Sequence, residues 1–200
     1  ADCKNPIIIK RIIDKKLLKL NGKGYLNGHT PFSAYLAFVS VVAAILYGHK
    51  YIALSNEKSA NEGNILRNGM VINHQWSKTF EFEKLFNNYS KKYLATNVYY
   101  FSFLRPLNEI QIARLFSKYS DYFNIFKSCN KGRGMNKWSN SCSKCLFTFI
   151  LLHPFLSEEK LIDIFGKNLF EKQSLLSILK NLLGISGHKP FECVGTKNEI

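Results

Sequence analysis

From Phe32 to Tyr47 the chain runs sixteen residues without a charged side chain, and four residues later it enters a second apolar stretch, Tyr51-Ile52-Ala53-Leu54-Ser55. A helix that is apolar around its whole circumference has to be buried. One that feeds an apolar strand is the pattern of a parallel sheet covered on both faces. The run is shorter than the about 20 residues that cross a bilayer, and Gly48-His49-Lys50 ends it. The pattern predicts a buried core helix rather than a membrane span, with Thr30 as its cap and Pro31 at its first position.

The rest of the chain extends this reading. Ile7 to Leu20 alternates apolar and basic residues and is expected to end in a helix, and Asn21 to Gly28 reads as a turn. Tyr51 to Ser55 is expected to be a short buried strand, and Gly69 to His74 another strand edge. Ser77 to Tyr93 reads as an amphipathic helix with Phe80, Leu85, Phe86 and Tyr89 near one face. Val98 to Leu104 is aromatic and branched, hence a strand, broken by Arg105-Pro106. Leu107 to Tyr119 reads as a helix with Ile110, Ile112, Leu115 and Phe116 inward. Helix and strand alternate, which predicts an α/β fold. Cys145 to Leu156, Glu158 to Phe165 and Ser174 to Leu183 all read as helical. The expected architecture is a parallel sheet flanked by helices over residues 1–127, followed by a mainly helical lobe with a cysteine cluster and a folded-back tail over residues 128–200.

The formal net charge of +14 favours polyanionic partners such as nucleic acid, nucleotide phosphates or an anionic membrane surface. The lysines are scattered, however, with no block of five or six like charges, as an AT-rich coding sequence would also give. Nucleic acid is therefore not the expected partner. No secretory signal opens the chain, and with five cysteines the expected setting is a reducing, cytoplasmic compartment where thiols are available for metal.

Three constellations carry potential chemistry. The segment Asn56-Glu57-Lys58-Ser59-Ala60-Asn61-Glu62-Gly63-Asn64 follows the first strand directly, where open α/β sheets bind ligands. Glu57 and Glu62 there could bind magnesium, act as a base or hold an amine; a solvated loop paired with Lys58 is the alternative. His74 is expected near a helix amino terminus, where it could be a general base or simply pack locally. Arg105 lies between a strand and a proline, at the same edge, suited to a carboxylate or phosphate; a strand-end salt bridge is the alternative. Cys142-x2-Cys145, with Cys129 upstream, is a partial zinc pattern that needs a fourth ligand, for which His153 and Cys193 are candidates. Three free cysteines are the alternative. The last segment, Gly187-His188-Lys189-Pro190-Phe191-Glu192-Cys193-Val194-Gly195, is rich in reactive types and is expected to fold back over the site. No glycine-rich phosphate loop of either common type occurs.

Several of these segments together resemble one family. They are Leu26-Asn27-Gly28-His29-Thr30-Pro31-Phe32-Ser33-Ala34; Ala53 to Asn64; Val71-x-Asn73-His74-Gln75-x-Ser77-Lys78; Phe80-Glu81-Phe82-Glu83; Leu104-Arg105-Pro106-Leu107-x-Glu109-x-Gln111-Ile112-Ala113; and Gly187 to Thr196. The chain resembles the MurL family of UDP-N-acetylmuramoyl-L-alanyl-L-glutamate epimerases from about Asn21 to its end. The resemblance implies an adenine-nucleotide α-hydrolase-like α/β fold of the ATP pyrophosphatase superfamily. It also implies epimerisation of a terminal L-glutamate in peptidoglycan precursor synthesis, with ATP and magnesium consumed to AMP and pyrophosphate. On that basis Glu57, His74 and Arg105 are expected to be catalytic. Asn56, Asn61, Glu62, His29, His188, Glu192 and Cys193 are expected to contact substrate. The superfamily's Ser-Gly-Gly-x-Asp-Ser phosphate cradle is not in these residues, so the chain is expected to be a carboxyl-terminal portion, incomplete for catalysis alone. Related pyrophosphatases carry a four-cysteine zinc pattern that Ser128-Cys129, Cys142 and Cys145 match, with Ser139 at the remaining cysteine's position. Two other functions stay open: another ATP pyrophosphatase acting on tRNA or a small molecule, and a non-catalytic basic zinc-stabilised binding module.

Overall fold

The computed structural model describes residues 4–25, 31–129, 131–132, 136–186, 190 and 192–200. Seven α-helices and two small sheets occur among them. α1 (Lys15–Gly22) is capped by the Asp14 carboxylate, which accepts from the Lys16 amide at 2.7 Å, and it buries no residue. α2 (Phe32–Leu46) leads into β1 (Tyr51–Leu54), which pairs in parallel with β4 (Tyr99–Ser102), Tyr51 opposite Tyr99 and Leu54 opposite Ser102. Between these strands lie an antiparallel hairpin, β2 (Ile65–Arg67) and β3 (Met70–Ile72), and α3 (Phe80–Tyr93). α4 (Glu109–Phe116), α5 (Ser143–Leu152), α6 (Glu158–Phe165) and α7 (Leu176–Leu182) complete the chain. The observed class is α/β with a small parallel sheet.

Two buried clusters hold the fold. In the first, Ala37, Val41 and Ala44 of α2 meet Phe82 and Phe86 of α3, with Val98 and Tyr100 beside them. In the second, α5 is the hub. Its Cys145, Leu146, Phe149 and Leu152 pack against Leu161, Ile164, Phe165, Leu169 and Leu182, and α4 adds Ala113. α4 thus packs with the helical lobe although it precedes residue 128.

Several sequence expectations are corrected. α2 is not buried all round: Val42, Ile45 and Leu46 are exposed, while the described parallel sheet beside it has two strands. β1 is likewise half-exposed along its length. The inner face of α3 is Phe82, Glu83, Phe86 and Ser90, while Phe80, Leu85 and Tyr89 lie outside. The hairpin was not anticipated, although its turn signal is in the sequence. Asn68 and Gly69 adopt φ of 50° and 75°, the left-handed pair that a tight hairpin turn requires. Pro31 flanks α2 rather than opening it, and Thr30 lies outside the described residues. No described helix is long and apolar enough to cross a membrane.

Candidate functional site

Both parallel strands end on the same side, and the segments that leave them are tied together there. Arg105, just beyond β4, is the knot. Its guanidinium donates to the Glu57 carbonyl at 3.0 Å, the Lys78 carbonyl at 2.8 Å, the Ser102 hydroxyl at 3.1 Å and the Glu83 carboxylate at 3.0 Å. The Arg105 and Glu83 side chains are only 14% and 10% exposed, so this is a buried ion pair. Arg105 therefore makes the strand-end salt bridge, and its charge is committed to holding four segments in place. The Asn56 amide donates to the Ser102 hydroxyl at 3.1 Å, and the Lys58 amide to the Leu107 carbonyl at 2.9 Å.

The post-β1 segment folds as a short 3-10 turn over Lys58–Asn61 that buries Ser59 and Ala60. Its polar side chains serve local geometry. The Asn61 carbonyl oxygen accepts from the Phe80 amide at 2.7 Å, at the start of α3, and its amide donates to the Lys58 carbonyl at 2.9 Å. Asn73 binds the Ala60 carbonyl at 2.9 Å. Gly63 lies against Val71: an added Cβ would meet Val71 Cγ1, the tip of an exposed side chain that would have to turn aside. Glu57 is held by its backbone, and its half-exposed carboxylate accepts from the Ser59 hydroxyl at 3.4 Å. Glu62 is half-exposed on the same turn.

His74 is oriented by Asn64, a residue the sequence reading did not single out. Asn64 Oδ1 accepts from the His74 backbone amide at 3.1 Å and lies 2.6 Å from His74 Nδ1. A backbone N–H can only donate, which identifies the Asn64 atom as the carbonyl oxygen. That oxygen can only accept, so Nδ1 carries the ring proton and a neutral His74 keeps its lone pair on Nε2. This is the tautomer suited to a proton acceptor at Nε2. Nearby, burial pushes the Tyr100 phenol up to about 12, the Glu83 carboxylate adds to the rise, and Arg105 opposes it.

Among the described residues, the tail reaches this region at Cys193. Lys78 Nζ donates to Cys193 Sγ at 3.2 Å, and Lys78 is the residue whose carbonyl Arg105 holds. Cys193 also borders a cavity of about 290 Å³ beside α4 and α5, walled by Ile112, Phe116, Phe147 and Leu151. Glu192 instead accepts from the Lys144 amide at 3.3 Å, in the first turn of α5. His29 and His188 lie outside the described residues. The structure therefore brings Asn56, Glu57, Asn61, Glu62, His74 and Arg105 into one hydrogen-bonded unit, links Cys193 to it, and puts Glu192 on α5. Glu83, Asn64, Ser102 and Lys78 are the positioning residues missed. A buried glutamate at a helix start gives no signal beyond its favourable place in the helix dipole.

Cys129, Cys142 and Cys145 converge in the second cluster, all buried, with their sulfurs within 4.8 Å of one another. His153 and Cys193, the suggested fourth ligands, are not in that group. Ser139 Oγ is instead 3.1 Å from Cys129 Sγ and 3.6 Å from Cys145 Sγ. Burial pushes the Cys129 thiol up, but hydrogen bonds from Ser139, Gly132 and Cys145 outweigh it and bring the group to about 6. Burial pushes Cys145 up to about 12.

The fold and this group of segments define an α/β protein whose polar, mutually hydrogen-bonded segments sit beyond the carboxyl ends of parallel strands. Family models sharpen that class. Residues 1–103 match the MurL N-terminal domain and residues 125–200 the MurL C-terminal domain, and the chain belongs to the MurL family. It is 39% identical over 197 residues to the UDP-N-acetyl-alpha-D-muramoyl-L-alanyl-L-glutamate epimerase of Xanthomonas oryzae pv. oryzae, covering 96% of this chain and 44% of that protein. It is 40% identical over 194 residues to the protein of the same name from Salinispora tropica, covering 95% of this chain and 42% of that protein. The chain thus spans less than half the length of the curated relatives it matches. No solved structure matches it.

Proposed function

We propose that the full-length protein carrying this chain inverts the terminal L-glutamate of UDP-N-acetylmuramoyl-L-alanyl-L-glutamate to D-glutamate, in peptidoglycan precursor synthesis, consuming ATP to AMP and pyrophosphate. The relatives' names support the substrate, and the resemblance supports the nucleotide. The observation that carries the reading is the His74–Asn64 pair. It supports the reading by orienting His74 in the tautomer whose Nε2 could accept a proton, on the same group of segments as the half-exposed Glu57 carboxylate.

The chemistry follows from charge. An α-proton beside a free carboxylate is very weakly acidic, because its removal places a second negative charge next to the first. Forming the mixed anhydride with AMP releases pyrophosphate, neutralises the carboxylate and supplies an electron sink. A base then takes the α-proton, a conjugate acid on the other face returns one, and water cleaves the anhydride to AMP and the free D-glutamyl carboxylate. Inversion needs two proton carriers flanking one carbon, and His74 and Glu57 are the two proposed.

With Glu57 assigned to proton transfer, Glu62 suits magnesium as a supplement to nucleotide phosphates, since that ion takes one or two carboxylates and keeps several waters. The phosphate-cradling glycine loop is not among these residues, so no phosphate contact is assigned to this chain. The test is incubation of the full-length protein with the L,L-substrate, ATP and magnesium, followed by acid hydrolysis and chiral separation. D-glutamate with matching AMP is expected; its absence overturns the reading.

A further inference from the structure

The cysteine cluster is not used by the chemistry above, and its geometry is specific. We propose that Cys129, Cys142, Cys145 and Ser139 form a tetrahedral zinc site in which the Ser139 hydroxyl oxygen stands where a fourth thiolate would be.

Thiolates about 2.3 Å from a tetrahedral zinc lie about 3.8 Å from each other, and an oxygen about 2.0 Å from the metal lies about 3.5 Å from each sulfur. Cys129 and Cys142 sulfurs are 3.8 Å apart, and those of Cys142 and Cys145 are 3.4 Å apart. Ser139 Oγ is 3.1 and 3.6 Å from two of the three sulfurs. A small adjustment of each side chain places one ion among all four.

The backbone prepares the sulfurs as acceptors. Cys129 Sγ accepts from the Gly132 amide at 3.1 Å and from the Ser139 amide at 3.3 Å, the arrangement a metal-bound thiolate uses. Ser141 Oγ donates to Ser139 Oγ at 3.3 Å and fixes the hydroxyl from outside, as an outer partner orients a metal ligand. Gly132 is obligatory in this loop, since an added Cβ would lie 1.8 Å from the Lys137 carbonyl oxygen. Cys142 precedes α5 and Cys145 lies in its first turn, so one side of the site is rigid.

Three thiolates, a neutral hydroxyl and Zn²⁺ sum to one negative charge, where four thiolates would leave two. The site is therefore less costly to bury than a four-cysteine one. Its effect is structural. Asn140, next to Ser139, donates to the Phe165 carbonyl at 2.7 Å and accepts from Lys172 Nζ at 2.6 Å. A metal on Ser139 fixes the loop that locks the end of α6 and the turn before α7.

The test uses the full chain, purified under reducing, metal-free conditions and titrated with zinc and with cobalt. Binding of one ion per chain is expected, with three of the five thiols becoming unreactive toward a thiol reagent and a tetrahedral sulfur-to-cobalt band appearing. Ser139→Cys is expected to raise that band by about one third, as three thiolates become four. Ser139→Ala is expected to weaken zinc by at least the roughly tenfold that loss of an outer partner costs. No bound metal at equimolar zinc, or recovery of a Cys142–Cys145 disulfide in its place, overturns the site. An unchanged cobalt band in Ser139→Cys overturns the assignment of Ser139.

Discussion

Replacing Arg105 distinguishes a clamp from a substrate ligand. Arg105→Ala removes four hydrogen bonds and leaves the Glu83 carboxylate, 10% exposed, without its counter-ion. Stranding one member of a buried ion pair costs about 3–5 kcal/mol. With a urea m-value of about 2 kcal/mol/M, a loss of 4 kcal/mol lowers the denaturation midpoint by about 2 M. Arg105→Lys keeps the charge but cannot fork to four acceptors, so it falls between wild type and Arg105→Ala. Adding Glu83→Gln to Arg105→Ala removes the stranded charge and recovers part of the loss, a non-additivity that marks the pair as coupled. The assay is urea unfolding followed by tryptophan fluorescence, to which Trp76 contributes from its edge contact with Phe82 at a centroid distance of 5.4 Å. An Arg105→Ala midpoint within about 0.3 M of wild type, at an m-value typical of a domain this size, refutes the clamp.

Other expectations follow from the same geometry. Neutral His74 carries its proton on Nδ1, so ¹⁵N chemical shifts report the Nδ1–H tautomer, and Asn64→Leu abolishes that preference; an Nε2–H wild type contradicts the assignment. Gly63→Ala costs about 1 kcal/mol or less, the cost of turning one exposed side chain off its preferred rotamer, and Val71→Ala on the same chain removes that cost, because the obstructing atom is Val71 Cγ1. Tyr100 ionises near pH 12, above the ordinary phenol value of 10.0, in a phenolate absorbance titration. Its folded value is raised, so the stability it contributes is whole below pH 10 and is lost as pH rises toward 12; a Tyr100 that titrates at the ordinary value is inconsistent with this burial.

Much of the fold was legible because apolar spacing and punctuation agree. Glu158–Phe165 opens after a Ser157 cap and closes at Gly166 in the left-handed conformation, and both signals are visible in sequence. α2 was legible as a helix but not as a half-exposed one, since apolar character does not reveal how many strands are there to cover it. α3 shows where periodicity fails. Its inner face includes polar side chains: Glu83 pairs with Arg105, and the Asn87 amide bridges the Glu83 and Tyr100 carbonyls at 2.9 and 2.6 Å. Only long-range contacts identify these groups as core. The group of segments beyond the strand ends was legible as a place, because a polar segment directly follows an apolar strand. The roles within it were not, since Asn61 and Arg105 serve neighbouring backbone and Asn64 orients His74 through a contact ten residues away.

The most direct test of the central claim is proton exchange at the substrate's α-carbon. The full-length protein is incubated in D₂O with the L,L-substrate, ATP and magnesium, and the glutamate is recovered for chiral separation and mass analysis. The account predicts D-glutamate carrying one deuterium at Cα, with exchange lost in His74→Asn or Glu57→Gln proteins that unfold at the wild-type urea midpoint. D-glutamate that retains its original α-proton in D₂O, or full exchange in both variants, would contradict it.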